Sequence, residues 1–199
     1  MSCRAYGKAF LLEDLMKFKA QLMDEGSVKR ALMRISHEIL EKNKGADDIC
    51  IVGIRRRGEE IAKRIAQNIK QIEGVELPFG DLDISFYRDD LTRISDSPIV
   101  KQLELPFSIV GKKVILTDDV LYTGRTVRAA IEAVFSLGRP KAIELAVLID
   151  RGHRELPIRA DFVGKSIPTS NDETIKVMLP PFDEMTAVMI LEKEKIAKV

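Results

Sequence analysis

The chain has 199 residues, with 32 Lys and Arg against 31 Asp and Glu for a net charge of +1, and 45% hydrophobic residues. That length suffices for one domain with a real core. The balanced charge excludes a global basic field, so any polyanion site must come from local clustering. Two cysteines, Cys3 and Cys50, make neither a disulfide framework nor a CxxC metal pair. No apolar run approaches the roughly 18 residues of a membrane span, and the charged N-terminus lacks a signal-peptide core, which points to the cytoplasm.

Residues 1–23 fit the later pattern poorly. Met16-Lys-Phe-Lys-Ala-Gln reads as a second start, which makes residues 1–15 an extension or a misassigned start; the domain division drawn is an extension over 1–18 and a single domain over 19–199. Val28, Leu32, Ile35 and Ile39, at 4-3-4 spacing, predict a helix over 27–43 with Ser27 as N-cap and Gly45 closing it. Its polar face gathers Arg30, Arg34, His37 and Glu41, with Met33 beside them. A strand over 48–54, an Arg-rich turn and a helix over 59–72 follow. Alternating apolar residues predict a strand over 79–87, leading into a polar stretch, 88–96, that reads as a mobile loop. A strand over 113–117, a helix over 127–137 and a strand over 142–149 complete the pattern, with Gly138 and Pro140 marking the last turn. Repeated strand–helix units mean an α/β fold: a parallel sheet with helices on both faces and ligands at the carboxyl ends of its strands.

The run Val114-Ile-Leu-Thr-Asp-Asp-Val-Leu-Tyr-Thr-Gly-Arg-Thr126 combines a buried strand, an acidic pair and a glycine loop that opens a helix. Backbone N–H groups at such a helix start make an anion site, and the hydroxyls of Thr123 and Thr126 add donors. Asp118 and Asp119 suit vicinal ribose hydroxyls or a hydrated Mg²⁺. A sugar with both hydroxyls and a 5-phosphate satisfies the whole set; the competing reading is a plain strand–turn–helix with two solvated aspartates. The turn Gly53-Ile-Arg-Arg-Arg-Gly58 also follows a strand and precedes a helix. Three arginines between glycines suit a pyrophosphate, or else form a solvated basic turn.

The 114–126 segment resembles the phosphoribosyl-pyrophosphate (PRPP) signature of the type I phosphoribosyltransferases. The resemblance implies that family's fold with a small hood, a 5-phosphate loop at Thr123, Gly124, Arg125 and Thr126, and a pyrophosphate loop at Ile54, Arg55, Arg56 and Arg57. It assigns Asp118 and Asp119 to ribose hydroxyls and Mg²⁺. Ser85-Phe-Tyr-Arg-Asp-Asp-Leu-Thr92 is similar to the loop that closes over the reaction centre, bringing Arg88 to the leaving pyrophosphate and excluding water. The segment 150–170 matches the hood over the nucleobase. Tyr122 stands where purine-salvage relatives usually carry an aspartate suited to purine N7; with an ordinary pKa of about 10, it tilts the reading toward a pyrimidine.

With Asp-Arg-Gly-His-Arg-Glu-Leu-Pro-Ile-Arg-Ala-Asp and Gly-Lys-Ser-Ile-Pro-Thr-Ser added, the match narrows to the branch of bacterial pyrimidine-operon regulators with uracil phosphoribosyltransferase activity, from Phe18 onward. The implied reaction is uracil plus PRPP giving UMP and pyrophosphate. The implied partners are uridine nucleotides (UMP or UTP), the operon's messenger RNA leader and further copies of the chain, with no DNA and no membrane. Departures from the pattern are Arg-Arg-Arg-Gly where Thr-Arg-Gly is expected at 56–58, Thr117 at an apolar position, and Met33 at a position that is polar in some relatives. RNA loops are read by stacking and hydrogen bonding over a basic surface, and His37, Arg154, Arg159 and Lys165 are the residues proposed for that surface. The alternatives are a salvage enzyme without an RNA role, a nucleotide sensor whose catalysis has decayed, and a purine enzyme that Tyr122 disfavours.

Overall fold

A computed structural model describes residues 16–85, 87 and 104–193. Residues 1–15 lie outside this set, and the 18/19 boundary falls within the first strand, β1 (Met16–Met23). Helix α1 spans Glu25–Asn43. Strand β2 (Ile49–Ile54) and helix α2 (Arg57–Glu73) follow, then β3 (Phe79–Leu82) and β4 (Lys113–Leu121). Helix α3 (Arg125–Leu137), β5 (Ala142–Asp150), β6 (Phe162–Ser166), β7 (Glu173–Met178) and β8 (Ala187–Lys193) complete the described chain.

Five strands form a sheet in the order β3-β2-β4-β5-β6, every neighbouring pair parallel. The alternation of β2 explains how both faces are filled. Ile49 and Ile51 turn into a core shared with α1 and α2, while Cys50, Val52 and Ile54 turn into a core shared with α3. The expected stripe Val28, Leu32, Ile35 and Ile39 is buried throughout, so α1 forms because its apolar residues line one face. A second, antiparallel sheet, β1-β8-β7, contributes Ile175, Val177, Val188 and Ile190 to the α1–α2 core.

The cap of α1 differs from the expectation. Asp24 is the N-cap, and its carboxylate accepts the Ser27 amide at 2.8 Å; a charged acceptor three residues upstream completes the helix's first turn better than the Ser27 hydroxyl. At the other end Lys44 takes the left-handed conformation, and the Gly45 amide donates to the Leu40 carbonyl at 2.9 Å. Strand β3 is shorter than expected and ends at Leu82. Strand β4 is longer and carries the acidic pair within its ladder, Asp118 opposite Val147 of β5.

Candidate active site

Strands β2 and β4 are parallel neighbours, with Gly53 opposite Thr117. Chain order reverses between them, since β2 leads through α2 to β3 on one side and β4 through α3 to β5 on the other. A crevice opens at such a switch point, outside the carboxyl ends. Both turns singled out in the sequence lie there.

The approach of α2 is close because of two glycines. A Cβ on Gly53 would come within 2.5 Å of the Gly58 carbonyl, and one on Gly58 within 2.5 Å of the Thr117 carbonyl oxygen. Thr117, unexpected at an apolar position, is fully buried, and its hydroxyl donates to the Gly58 carbonyl at 2.7 Å. This bond fastens the start of α2 to β4. The chain from Ile54 to Arg57, with a cis peptide at Arg55–Arg56, borders a cavity of about 370 Å³ together with Asp83, Ser85, Asp118, Asp119 and Thr126.

The three arginines of this turn are not equivalent. Arg55 is held by Asp81 and Asp83, its Nε donating to Asp81 at 2.6 Å. Arg57 makes a bidentate pair with Asp183, at 3.0 and 2.9 Å. Asp183 also accepts the Leu179 amide at 2.8 Å, and its carboxyl is held below the usual range mainly by the Arg57 hydrogen bond. Arg56 is exposed and has no ion-pair partner among the described residues. Nothing local marks Asp183 as a partner: it lies 126 positions from Arg57, in the turn between β7 and β8.

A second cavity, of about 300 Å³, is bordered by residues 120–127 with Asp118 and Glu155. Gly124 is the N-cap of α3, with φ +93°, a conformation that favours glycine. A Cβ there would lie 3.3 Å from Cβ of Leu156. Around it Thr123, Arg125 and Thr126 form the start of the helix, so the expected phosphate loop is the helix's own first turn. Asp118, nearly buried, and Thr126 border both cavities. The Asp118 carboxylate accepts the Asp119 amide at 3.0 Å, and the Asp119 carboxylate accepts the Val120 amide at 2.8 Å. Burial pushes the Asp119 carboxyl above the usual range, with Arg57 opposing the shift.

Beyond β5 the hood segment folds back on the phosphate loop. The amides of Glu155 and Leu156 donate to the Thr123 carbonyl at 3.0 and 3.1 Å. Arg151 is buried, with its guanidinium 4.0 Å from the Tyr122 ring centroid and hydrogen bonds to the Thr169 hydroxyl and the Glu173 carbonyl. His153 meets the same tyrosine edge-on at 6.1 Å, and one ring nitrogen lies 2.5 Å from the Thr169 carbonyl. Tyr122 thus packs against a guanidinium and an imidazole ring.

The residues proposed for RNA are spread differently. His37 and Arg159 are exposed. Lys165 is also exposed and donates to the Leu22 carbonyl at 3.3 Å. Arg154 faces inward: it pairs with Asp150 at 2.6 Å and donates to the carbonyls of Leu121, Tyr122, Gly152 and Ile158. Its guanidinium holds the hood together. On α1, Arg34 is spent on Glu38 and the carbonyls of Val163 and Gly164, and Lys42 on Glu144 and Asp161. Arg88 lies outside the described residues. Among the described residues no cluster of three acidic, His or Cys side chains could cage a metal, so Asp118 and Asp119 are the only part of such a site the sequence proposed. Among the described residues no helix is long and apolar enough to cross a membrane.

Comparison with known proteins agrees with this geometry. The phosphoribosyl transferase domain family matches residues 20–180. The bifunctional protein PyrR of Caldicellulosiruptor bescii is 59% identical over 179 residues, covering 90% of this chain and 98% of that protein. The bifunctional protein PyrR of Clostridium kluyveri is 59% identical over 177 residues, covering 89% and 99%. Among solved structures, the hypoxanthine phosphoribosyltransferase of Trypanosoma cruzi superposes with a TM-score of 0.67 at 18% identity, covering 89% of this chain and 98% of the other. With the parallel sheet, the switch-point crevice and the glycine loop in place, the chain belongs to the phosphoribosyl transferase family, in its branch of bifunctional PyrR proteins.

Proposed function

We propose that this protein transfers a phosphoribosyl group from PRPP to uracil, giving UMP and pyrophosphate, and that it binds a pyrimidine-operon messenger RNA leader in response to uridine nucleotides. The observation that carries the enzymatic part is the meeting of two anion-type turns at the ends of adjacent strands, with Asp118 and Asp119 between them. The first turn of α3 receives the 5-phosphate through backbone amides and the hydroxyls of Thr123 and Thr126. The turn 54–57 receives the pyrophosphate, with Arg56 as the arginine that has no ion-pair partner among the described residues. Asp118 and Asp119 hold the ribose hydroxyls.

The carboxylate pair and the substrate's own oxygens fit Mg²⁺, which keeps waters and binds through one or two carboxylates plus phosphates; when bound, it neutralises charge on the pyrophosphate. The protein's part in the reaction is positioning and charge stabilisation. As the bond at the anomeric carbon lengthens, the ribose gains oxocarbenium character. Bound carboxylates beside the ring favour that positive charge, and the arginine turn favours the departing anion. Uracil N1 gives up its proton to solvent or to the pyrophosphate. Tyr122, locked by Arg151, walls the base side with an aromatic ring instead of an acid, which supports uracil over a purine.

A second reading, a salvage enzyme without an RNA role, is favoured by one observation: Arg154, Arg34 and Lys42 are engaged within the molecule. His37, Arg159 and Lys165 remain for RNA, together with exposed Lys29 and Arg30. Self-association and a cytoplasmic setting go with the bifunctional reading. The test is UMP formation from uracil and PRPP, with hypoxanthine as competitor, alongside leader-RNA binding with and without UMP across a salt series. UMP-enhanced, sequence-selective binding supports the regulator. UMP formation with no leader binding leaves the salvage enzyme.

A further inference from the structure

We propose that Glu155 is a built-in weakener of the phosphate site, setting how tightly the loop at 123–126 holds a 5-phosphate; this rests on the reading of that loop as the phosphate site. Three observations place its carboxylate there. Glu155 borders the same cavity as Thr123, Gly124, Arg125 and Thr126. Its carboxylate takes both Nε and Nη2 of Arg125 at 2.7 Å. Its backbone is pinned to the loop, because the Glu155 and Leu156 amides both donate to the Thr123 carbonyl and Leu156 and Ile158 pack against Gly124.

The ion pair itself does little for folding. Both side chains are about half exposed, at 49% and 50%, and exposed pairs contribute little to stability. Its effect falls on the ligand. An arriving phosphate has to compete with Glu155 for the Arg125 guanidinium, and it meets a like charge at a fixed place on the rim. Substrate and product of the proposed reaction carry the same 5-phosphate, so a loop that grips it without restraint holds the product as firmly as the substrate. A carboxylate at the rim loosens both. In a nucleotide-responsive regulator it also raises the UMP concentration at which the site fills.

The test uses the full chain and titrates UMP and uridine by calorimetry into wild type, Glu155→Gln and Glu155→Lys. Removing the carboxylate should lower the UMP Kd about two- to five-fold, the range that 0.5–1 kcal/mol of a half-exposed charge contact gives, and Glu155→Lys should lower it further. Uridine, which lacks the phosphate, should bind all three alike, and the gain should shrink as salt rises from 50 to 500 mM, on the order of the screening expected for exposed charges. Folded variants, shown by unchanged thermal unfolding, that bind UMP no more tightly than wild type would overturn the inference. Equal gains for uridine and UMP would overturn it too, by assigning the effect to hood packing. Wild type that binds neither UMP nor PRPP would overturn the phosphate-loop reading itself, and this inference with it.

Discussion

The two turns at the mouth of the crevice, proposed to hold anions, are built by different means. The turn at 54–57 relies on side-chain charge, and the protein surrounds that charge with its own counter-charges: Asp81 and Asp83 on Arg55, Asp183 on Arg57. The loop at 123–126 relies on backbone, with Gly124 at φ +93° leading into the first turn of α3. A charged turn tolerates a change of shape and suffers from a change of charge. A backbone loop does the reverse. The acidic pair of β4 stands between them, with Asp118 bordering both cavities and Asp119 the one at the arginine turn.

That shared wall carries the largest expected effect. Asp118→Asn and Asp119→Asn should each lower kcat/KM for UMP formation at least about a hundred-fold, the scale of losing one electrostatic group at a reacting centre, with circular dichroism unchanged. Next comes the backbone loop. Gly124→Val places a β-branched side chain at positive φ, a cost of about 1–2 kcal/mol or more, and pushes on Leu156 and Ile158. PRPP KM should rise about ten-fold, and added salt should not change the ratio to wild type. A strong salt dependence of that ratio would mean the loop works by charge after all.

The charged turn gives smaller and more conditional effects. Asp183→Asn keeps an acceptor for the Leu179 amide and removes the charge that Arg57 faces. The partly buried pair should be worth about 1–2 kcal/mol, read in urea unfolding, with PRPP KM raised a few-fold. Because the folded Asp183 carboxyl lies below its ordinary value, the pair's contribution is present above about pH 4 and is lost as pH falls through the folded pKa. The stability gap between wild type and Asp183→Asn should therefore stay constant from pH 7 to 5 and close under more acid conditions. Arg56→Ala should do least, with a two- to three-fold rise in PRPP KM, on the order of one exposed charge contact, no change in unfolding, and disappearance at high salt.

Much of this was legible in the residues. The 4-3-4 stripe of α1, the apolar runs of β2, β4 and β5, and the glycine turns all carry their structural reason locally, in periodicity and in backbone freedom. Strands β1, β6, β7 and β8 were not read. Phe162-Val-Gly-Lys-Ser and Glu173-Thr-Ile-Lys-Val-Met are short and mixed in polarity, and their strand character depends on partners far along the chain. Asp183 and Glu155 were missed as members of the site for the same reason. A carboxylate acquires its meaning from the arginine it meets, and here each meeting is made by the fold. Arg154 shows the opposite failure: a cationic residue in a basic stretch looked like surface, yet it spends its donors on three acceptors of the hood and on the Leu121 and Tyr122 carbonyls.

The neighbouring placement of β2 and β4 makes the sheet a ruler. Parallel strands stand about 4.8 Å apart, and the Thr117–Gly58 hydrogen bond fastens the start of α2 to β4. On the proposed reading, the part of the ligand that spans the mouth, from 5-phosphate to pyrophosphate, is the same whatever base is attached. The hood is carried on the far side, by the ends of β5 and β6. On the proposed reading, a change of accepted base calls for a rewritten hood and leaves the two turns as they are.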